Sequence, residues 1–373
     1  TALLAGCGGS QPSTGAPGSA LPSDGYVQKS SPQSASRASA AGHYVYVTNG
    51  YSRDVSGFVI KASGGLRQLR SSPFRARSRP IGLAIDPTGA FMYVANGNSN
   101  NISAYVIHAS GRLTHVQGQP FAAGSYPWQV AIDPSGKFVY VVNENSNNVS
   151  AYTINATSGA LTQVQGSPFA TGNSPAGLAI DPTGSFAYVT NSYDNDISAY
   201  AINASSGALT QIQGSPFAAG SAPRKVAING TFVYVANFES GNVSAYTIDT
   251  ASGALTQIQG SPFAAGTNPI GVAIEPMGAF VYVTNHGSNN VSAYAVNTST
   301  GALTQVRGSP FAAGHLPTAV AIDPTGEFAY VANIGIHRGR VSGFAINASS
   351  GALTPVQGSP FKAGENPFAV VVR

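Results

Sequence analysis

Residues 175–217 read PAGLAIDPTGSFAYVTNSYDNDISAYAINASSGALTQIQGSPF, and the pattern of this stretch recurs along the chain. Its clearest element is the tetrapeptide Tyr-Val-x-Asn, which appears seven times at spacings of 46 to 48 residues. The copies begin at Tyr46, Tyr93, Tyr140, Tyr188, Tyr234, Tyr282 and Tyr330. Self-similarity at a fixed period of this length is the signature of a repeat architecture. The sequence therefore predicts seven copies of one structural unit.

Each unit divides into four short segments with strand composition, separated by residues that favour turns. In the quoted copy, the continuous apolar run 177–180 fits a strand buried on both faces. Residues 181–184 place Asp, Pro and Gly at positions that a type I turn prefers. The strands 186–191 and 197–202 precede an outer strand that ends at Pro216, where a sheet edge tolerates the missing N–H. Four-stranded units repeated radially are the blades of a β-propeller.

The two ends of the repeated region predict how the ring closes. The region starts at residue 43 with a segment that matches the second strand of the unit, and 367–372 matches the first strand. The C-terminal segment therefore supplies the inner strand that the N-terminal blade lacks. The predicted fold is all-β: a closed seven-bladed propeller over residues 43–373, built from four-stranded antiparallel blades.

The composition agrees with this fold and excludes several other classes. Of 373 residues, 44 are Gly, 24 are Pro and only 9% are charged, about a third of the usual share. Coiled coils and disordered chains carry far more charge, and fewer aromatic side chains than the 17 Tyr and 17 Phe present here. A single Cys excludes a disulfide framework and a thiolate metal cluster. The formal charge of +4 is too small to imply a nucleic-acid partner, and we expect none. The sequence has no His-x-x-x-His pair and no Gly-rich phosphate loop, so we expect no metal and no cofactor.

The positive charge is concentrated near the start of the repeated region. Residues 1–80 carry nine basic and two acidic side chains, whereas residues 81–373 carry nine and twelve. Most of the excess lies at Arg53, Lys61, Arg67, Arg70, Arg75, Arg77 and Arg79. The simpler interpretation is a solvated outer strand and loop. The alternative is a surface that lies against anionic lipid or a surface polymer.

The first residues resemble the end of a bacterial lipoprotein signal. Residues 4–7 read LAGC and match the lipobox, in which small residues precede a Cys whose thiol takes a diacylglyceryl group. A Gly/Ser/Pro/Ala-rich run follows over residues 8–42, and this composition is typical of a flexible linker. We expect residues 1–7 to be a signal remnant with Cys7 as the lipidation site. The resemblance implies an exported protein, held at the membrane by its lipid alone and facing the periplasm or the cell surface.

The repeat resembles the YVTN-repeat proteins and the wider seven-bladed lactonase-type propeller family. The similarity covers residues 43–373 and rests on Ala-Ile-Asp-Pro-Thr-Gly, Tyr-Val-x-Asn and Val-Ser-Ala-Tyr, which follow one another in the unit. It implies the propeller fold. It specifies function less closely, because propellers host unrelated activities.

Functional residues in a ring of near-identical units are expected where the repeat is broken. Two positions are predicted to lie near the central channel: the residue after the Pro that opens each blade, and the residue after each Tyr-Val-x-Asn. The first position holds Ile81, Trp128, Ala176, Arg224, Ile270, Thr318 and Phe368. The second holds Gly50, Gly97, Glu144, Ser192, Phe238, His286 and Ile334. The polar and aromatic exceptions and their neighbours are the candidate site residues: Trp128, Glu144, Arg224, Lys225, Glu239, His286 and His315.

The family resemblance implies roles for these residues, since its lactonases open one blade with Pro-Arg-His and place Asn-Glu one strand later. The implied catalytic residues are Arg224, Glu144, Glu239 and His286. The expected ligand-binding residues are Trp128, Lys225 and His315. An Arg polarises a lactone carbonyl, while a carboxylate or a His transfers a proton. In this chain Lys225 replaces the His, and Glu144 belongs to a different unit from Arg224.

Three functions are consistent with these features. The leading hypothesis is an exported, lipid-anchored binding module for a polysaccharide or a protein of the cell envelope. The alternative is a lactone hydrolase, a carboxylic ester hydrolase acting on a sugar lactone or another small lactone. The third is a structural surface repeat protein whose channel is plugged. We expect the chain to be a monomer in each case.

Overall fold

A computed structural model describes residues 43–335 and 339–373. The predicted signal remnant, the lipidation site Cys7 and the linker 8–42 lie outside the described residues. The described residues form seven antiparallel sheets, and the innermost strands of neighbouring sheets contact each other around a complete ring. The predicted all-β, seven-bladed propeller is confirmed.

Each blade has a first strand at the channel, followed outward by a second strand, a third strand and two short outer segments. For blades 1 to 7, the first strands are Pro367–Val372, Pro80–Ile85, Pro127–Ile132, Pro175–Ile180, Pro223–Asn229, Pro269–Ile274 and Pro317–Ile322. The second strands are Tyr44–Asn49, Phe91–Asn96, Phe138–Asn143, Phe186–Asn191, Phe232–Asn237, Phe280–Asn285 and Phe328–Asn333. The third strands are Asp54–Ile60, Asn101–Ile107, Asn148–Ile154, Asp196–Ile202, Asn242–Ile248, Asn290–Val296 and Arg340–Ile346.

The outer segments complete each sheet. The longer ones are Leu66–Gln68, Leu113–His115, Leu161–Gln163, Leu209–Gln211, Leu255–Gln257, Leu303–Gln305 and Leu353–Pro355. The shorter ones are Phe74–Arg75, Phe121–Ala122, Phe169–Ala170, Phe217–Ala218, Phe263–Ala264, Phe311–Ala312 and Phe361–Lys362. A single turn of 3-10 helix, Gly97–Ser99, joins the second and third strands of blade 2.

Ring closure follows the prediction from the chain ends. In blade 1 the second strand pairs antiparallel with the C-terminal strand, with Val45 opposite Val372 and Val47 opposite Val370. Val45 and Val47 have no exposed surface, so the closing pair is part of the core. The first and last strands of the propeller therefore lie side by side in one sheet.

The fourth strand predicted for each unit forms in two pieces. In blade 4, Leu209–Gln211 and Phe217–Ala218 both pair with the third strand. Between them, Pro216 has no N–H to give to the ladder. The hydroxyl of Ser215 accepts a hydrogen bond from the N–H of Ala199 at 2.9 Å, so the third strand keeps a partner across the break.

The repeated Asn and Asp side chains hold turns and strands together, as expected for residues that bond readily to nearby backbone. In blade 3, Nδ2 of Asn143 donates to the hydroxyl of Ser150 at 2.9 Å, and its Oδ1 accepts from the N–H of Gly124 at 3.1 Å. Oδ1 of Asp133 accepts from the N–H of Phe138 at 2.6 Å and so closes the turn between the first two strands.

The repeated Tyr joins each blade to the next. Each of the seven hydroxyls donates to the carbonyl of a Gly in the outer turn of the following blade, at 2.8 to 2.9 Å. The pairs are Tyr46–Gly111, Tyr93–Gly159, Tyr140–Gly207, Tyr188–Gly253, Tyr234–Gly301, Tyr282–Gly351 and Tyr330–Gly64. All seven Tyr side chains are fully buried. The last pair connects blade 7 to blade 1 and completes the ring.

Glycine is required at the accepting turn for two reasons. Gly64 has φ +76°, in the left-handed region that disfavours other residues. A Cβ atom at Gly64 would also lie 2.3 Å from the Phe328 ring, which packs on the turn from the neighbouring blade. The turn therefore provides both a carbonyl acceptor and the space for an aromatic ring.

We expect Tyr330→Phe to destabilise the protein by about 1–2 kcal/mol, because it leaves the buried Gly64 carbonyl without a donor. Gly64→Ala is expected to cost more, since it adds backbone strain and a collision with Phe328. Equilibrium unfolding in urea measures both. The control is Tyr193→Phe, because Tyr193 is 79% exposed and its loss of a hydroxyl is expected to have no effect. Equal stability of Tyr330→Phe and wild type would show that the inter-blade bond contributes nothing.

Candidate functional site

A cavity of about 210 Å³ opens at the end of the channel where the first strands begin. Its walls come from six blades and include both positions that sequence analysis placed near the channel. The lining residues are Ile81, Trp128, Arg224, Lys225, Phe238, Ile270, His286, Thr318, Ile334, Phe368 and Ala369. The walls are largely apolar, and the charged groups are confined to neighbouring positions of blade 5.

A local break in strand pairing frees the cavity residues from the sheet. In blade 5, regular pairing between the first and second strands skips from Pro223 to Val226, so Arg224 and Lys225 have no partner in that register. In blade 3 the pairing skips Trp128 in the same way. Bulges of this kind re-aim side chains next to functional sites. The same shift follows the opening Pro in the other blades, so the fold supplies the bulge and the residue after the Pro decides which group it presents.

Arg224 and His286 both lie next to one aromatic ring, that of Phe238. The guanidinium carbon of Arg224 is 5.4 Å from the centre of the Phe238 ring, within the range of a cation–π contact. The His286 ring centre is 6.5 Å from the same ring. Phe238 thus holds a permanent cation and an imidazole on one side of the cavity.

His286 is set up as a neutral base. Its Nδ1 lies 3.2 Å from the carbonyl oxygen of Pro317. Because a carbonyl oxygen only accepts, the neutral ring carries its proton on Nδ1 and leaves Nε2 with a free lone pair. Burial lowers the pKa of His286, so the ring is uncharged at neutral pH.

Lys225 crosses the cavity wall to the bulge of blade 3. Its Nζ donates to Oε1 of Gln129, which is two residues after Pro127. Burial lowers the pKa of Lys225 to about 8, since the surroundings provide little solvation for the ammonium group. Lys225 therefore still carries its charge at neutral pH but loses it in mildly alkaline solution.

Glu144 lies beside this cavity rather than in its wall. It lines a separate depression with Ser174, whose hydroxyl donates to Oε1 of Glu144 at 3.2 Å. Burial raises the pKa of Glu144, and the positive charges of Arg224 and Arg79 partly oppose that rise. Glu144 is thus close enough to Arg224 and Arg79 for their charges to affect its pKa.

The two remaining candidates are exposed. Glu239 does not line the cavity, and its backbone N–H donates to the carbonyl of Ser221 at 3.2 Å. His315 is also exposed, and it lies near enough to His286 for its charge to lower the pKa of that ring further. The structure therefore brings Trp128, Arg224, Lys225 and His286 together and leaves Glu144, Glu239 and His315 outside the wall.

An aromatic cluster that sequence analysis missed continues the site toward blade 2. The Trp128 ring stacks on Tyr126 at 5.9 Å and meets Phe368 edge-on at 6.0 Å. The guanidinium carbon of Arg79 lies 5.6 Å from the Tyr126 ring and 5.5 Å from the Phe368 ring. Arg79 stands immediately before the opening Pro80. This position holds Arg79, Tyr126, Ser174, Ala222, Asn268, Leu316 and Asn366 in the seven units, and Arg79 is the charged residue among them.

The part of the chain that the structure describes has no cluster of three His, Cys, Asp or Glu side chains able to hold a metal ion. It also contains no helix with the length and hydropathy of a membrane span.

The sequence matches the family described as "Lactonase, 7-bladed beta-propeller" over residues 31–172, 166–270 and 259–372. The chain belongs to this lactonase propeller family. Three successive matches cover almost the whole propeller, as expected when one profile is spread over a ring of repeats. No curated protein matches the chain in sequence.

Solved structures with the same fold include several lactonase propellers. A proposed 6-phosphogluconolactonase from Bacteroides fragilis has TM-score 0.78 and 21% identity, over 90% of this chain and 99% of its own. A proposed 6-phosphogluconolactonase from Bacteroides uniformis has TM-score 0.76 and 22% identity, over 89% and 100%. The periplasmic gluconolactonase of Pseudomonas aeruginosa has TM-score 0.74 and 20% identity, over 88% and 98%. At these identities the likeness shows the fold.

We expect Lys225→Met to stabilise this lactonase-family propeller at pH 7 by on the order of 1 kcal/mol, since the charged group is held in a poorly solvating site. The unfolded chain binds the Lys225 proton more tightly than the folded one. Wild-type stability should therefore rise between pH 8 and the ordinary Lys pKa near 10.5, and the variant should lack this rise. Thermal unfolding at pH 7, 8 and 9 measures the difference. Lys137→Met, at an exposed Lys, is the matched control. Identical behaviour of both variants would contradict the burial of the Lys225 charge.

Proposed function

We propose that this propeller is a lactone hydrolase whose active site is the cavity at the channel mouth. The observation that carries the proposal is the juxtaposition, around Phe238, of the Arg224 guanidinium and a neutral His286 with a free Nε2. A cation that stabilises developing negative charge and a base that accepts a proton are the two groups that ester hydrolysis needs. The largely apolar wall strengthens both interactions, because it excludes water around them.

The residues account for both proton transfers of the reaction. Water attacks the carbonyl carbon of the lactone, while Nε2 of His286 takes a proton from it. Arg224 stabilises the negative charge that forms on the carbonyl oxygen. The C–O bond of the ring then breaks, and the departing ring oxygen takes the proton back from His286. The product is the hydroxy acid, and His286 returns to its neutral form.

Lys225 has a separate role in this scheme. Its ammonium group is adjacent in sequence to Arg224 and is oriented by Gln129. Two neighbouring cations favour the anionic transition state and the carboxylate of the product over the neutral lactone. Lys225 therefore contributes charge rather than a proton.

The small volume and the apolar lining of the cavity favour a lactone of modest size. The cavity presents the Trp128 indole, the Phe368 ring and several Ile side chains, which suit the apolar face of a five- or six-membered ring. Sugar lactones present such a face through their C–H groups. The gluconolactonase and the proposed 6-phosphogluconolactonases of the same fold support a sugar lactone as the first substrate class to test.

These findings favour hydrolysis over the envelope-binding module that sequence analysis placed first. The family match and the named neighbours are lactonases, and the cavity combines an acid–base group with a charge-stabilising one. A role in ligand binding alone does not explain why a neutral His286, with its proton held on Nδ1, lies near the Arg224 cation. The hydrolase was the alternative hypothesis, and we adopt it here.

The first experiment assays hydrolysis of three lactones: glucono-δ-lactone, its 6-phosphate and an aliphatic δ-lactone. The rate is measured from the acid that each hydrolysis releases. We expect Arg224→Ala to lower kcat/KM by about 10²–10³-fold and His286→Gln by about 10²-fold or more. The control Glu239→Gln removes an exposed acid outside the cavity and should stay close to wild type. No turnover of any lactone, or turnover unchanged in both cavity variants, would refute the proposal.

The pH profile of kcat/KM offers a second test. Activity should rise from acid pH as His286 becomes neutral, with the inflection below the ordinary His pKa of 6.5 because burial lowers it. It should fall above about pH 8, where Lys225 loses its charge. In Lys225→Met the alkaline fall should disappear while the acid limb remains. An alkaline limb that persists in this variant would show that another group titrates there.

A further inference from the structure

A second recess lies away from the channel, between blades 1 and 2. It has a volume of about 590 Å³, larger than the channel cavity, and three of its wall residues are Arg53, Arg75 and Arg77. We call it the arginine groove. The serine hydroxyls of Ser52, Ser78 and Ser99 also line it. The scheme for lactone hydrolysis uses none of these residues.

Comparison between repeats shows that the three Arg are exceptions. The position of Arg75 holds Ala in five blades and Lys362 in the remaining one. The position of Arg77 is a glycine in all six other blades: Gly124, Gly172, Gly220, Gly266, Gly314 and Gly364. The position of Arg53 is Asn or Gly in blades 2 to 6: Asn100, Asn147, Asn195, Gly241 and Asn289. Blade 1 therefore departs from the repeat at three positions that face one groove.

Arg53 breaks a local rule of the fold. Its backbone has φ 59°, in the left-handed region where Asn and Gly are favoured. In blades 2 and 3, Oδ1 of Asn100 and Asn147 accepts a hydrogen bond from the backbone of the following blade, at 2.9 Å in both cases. An Arg side chain has no acceptor and cannot make this bond. Arg53 thus replaces a residue that suits the turn better.

Arg77 breaks a second rule. At the equivalent Gly124, a Cβ atom would lie 2.7 Å from the side chain of Asn143, so this site is shaped for glycine. The N–H of Arg77 donates to Oδ1 of Asn96, which lies in blade 2, at 3.3 Å. The equivalent hydrogen bond, from the N–H of Gly124 to Oδ1 of Asn143, is 3.1 Å long. Residues that break local rules without a structural gain mark functional sites.

The chemistry of the groove selects the ligand. Guanidinium groups bind carboxylate and phosphate oxygens through paired hydrogen bonds. The Ser99 hydroxyl accepts the N–H of Ser78 at 2.9 Å, so what it offers a sugar is its O–H as a donor. The lining has no aromatic ring on which a nucleic-acid base could stack, and Asp54 opposes a dense phosphate backbone. Pro73 and Ala76 are its only apolar residues, too little surface to enter a lipid bilayer. We infer that the arginine groove binds an anionic carbohydrate chain, with Arg53, Arg75 and Arg77 contacting its acidic groups.

The test measures binding of a tetramer of galacturonic acid to the full chain by calorimetry. The variant Arg53→Asn/Arg75→Ala/Arg77→Gly installs the residues of other blades, so the fold is retained. We expect at least a tenfold loss of affinity together with a higher unfolding temperature. The matched control, Arg67→Thr/Arg70→Gln, also installs residues of other blades and removes basic side chains that do not line the groove. It should bind within twofold of wild type.

Each other outcome overturns the inference. Absence of binding by wild type would exclude an anionic glycan site. An equal loss in the control variant would show diffuse surface charge in place of a site. Tighter binding of oligothymidylate or of phosphatidylglycerol vesicles would assign the groove to another class of ligand. A triple variant that binds weakly but unfolds at a lower temperature would show that the three Arg are structural.

Arg75→Ala alone, at a position without strain, should still weaken binding.

Discussion

The propeller depends on one interaction that is repeated seven times: a buried tyrosine hydroxyl donating to a glycine carbonyl of the next blade. Tyr188 and Gly253 illustrate it, with an O–O distance of 2.8 Å and a fully buried side chain. A single sheet of this size cannot bury both of its faces, so each blade needs its neighbours. The hydroxyl sets the position of each neighbour, and the aromatic ring beside it fills the space between sheets.

The same regularity explains why the fold was predictable and the site only partly so. Period, turn residues and chain ends predicted seven blades, their strand order and the closing strand, because each of these rests on local chemistry repeated many times. The split of the outer strand at Pro216 was missed, since it depends on Ser215 replacing a backbone partner. Trp128, Arg224 and His286 were found as departures from the repeat. The meeting of Arg224 and His286 at the Phe238 ring was not predictable, because it is set by the curvature of the whole ring.

Charge is used sparingly in this molecule, and several of the charged side chains in the two proposed sites lie where the backbone departs from regular strand pairing. Arg224 and Lys225 occupy a bulge, and Arg53 occupies a left-handed turn. Both are positions where side chains leave the regular ladder, so a charged group there can face a recess instead of the space between sheets. The scaffold therefore separates two requirements: the strands provide stability, and the residues between them provide chemistry.

Closure by the C-terminal strand has a consequence for synthesis. Val45 cannot meet Val372 until all the strands between them have left the ribosome. Until then, the sheet of blade 1 has an open inner edge, and open edges are prone to pair with other chains. The later blades can stack as they emerge, because their contacts are with neighbours in sequence. The strand Pro367–Val372 thus decides when the nascent propeller becomes a closed and protected particle.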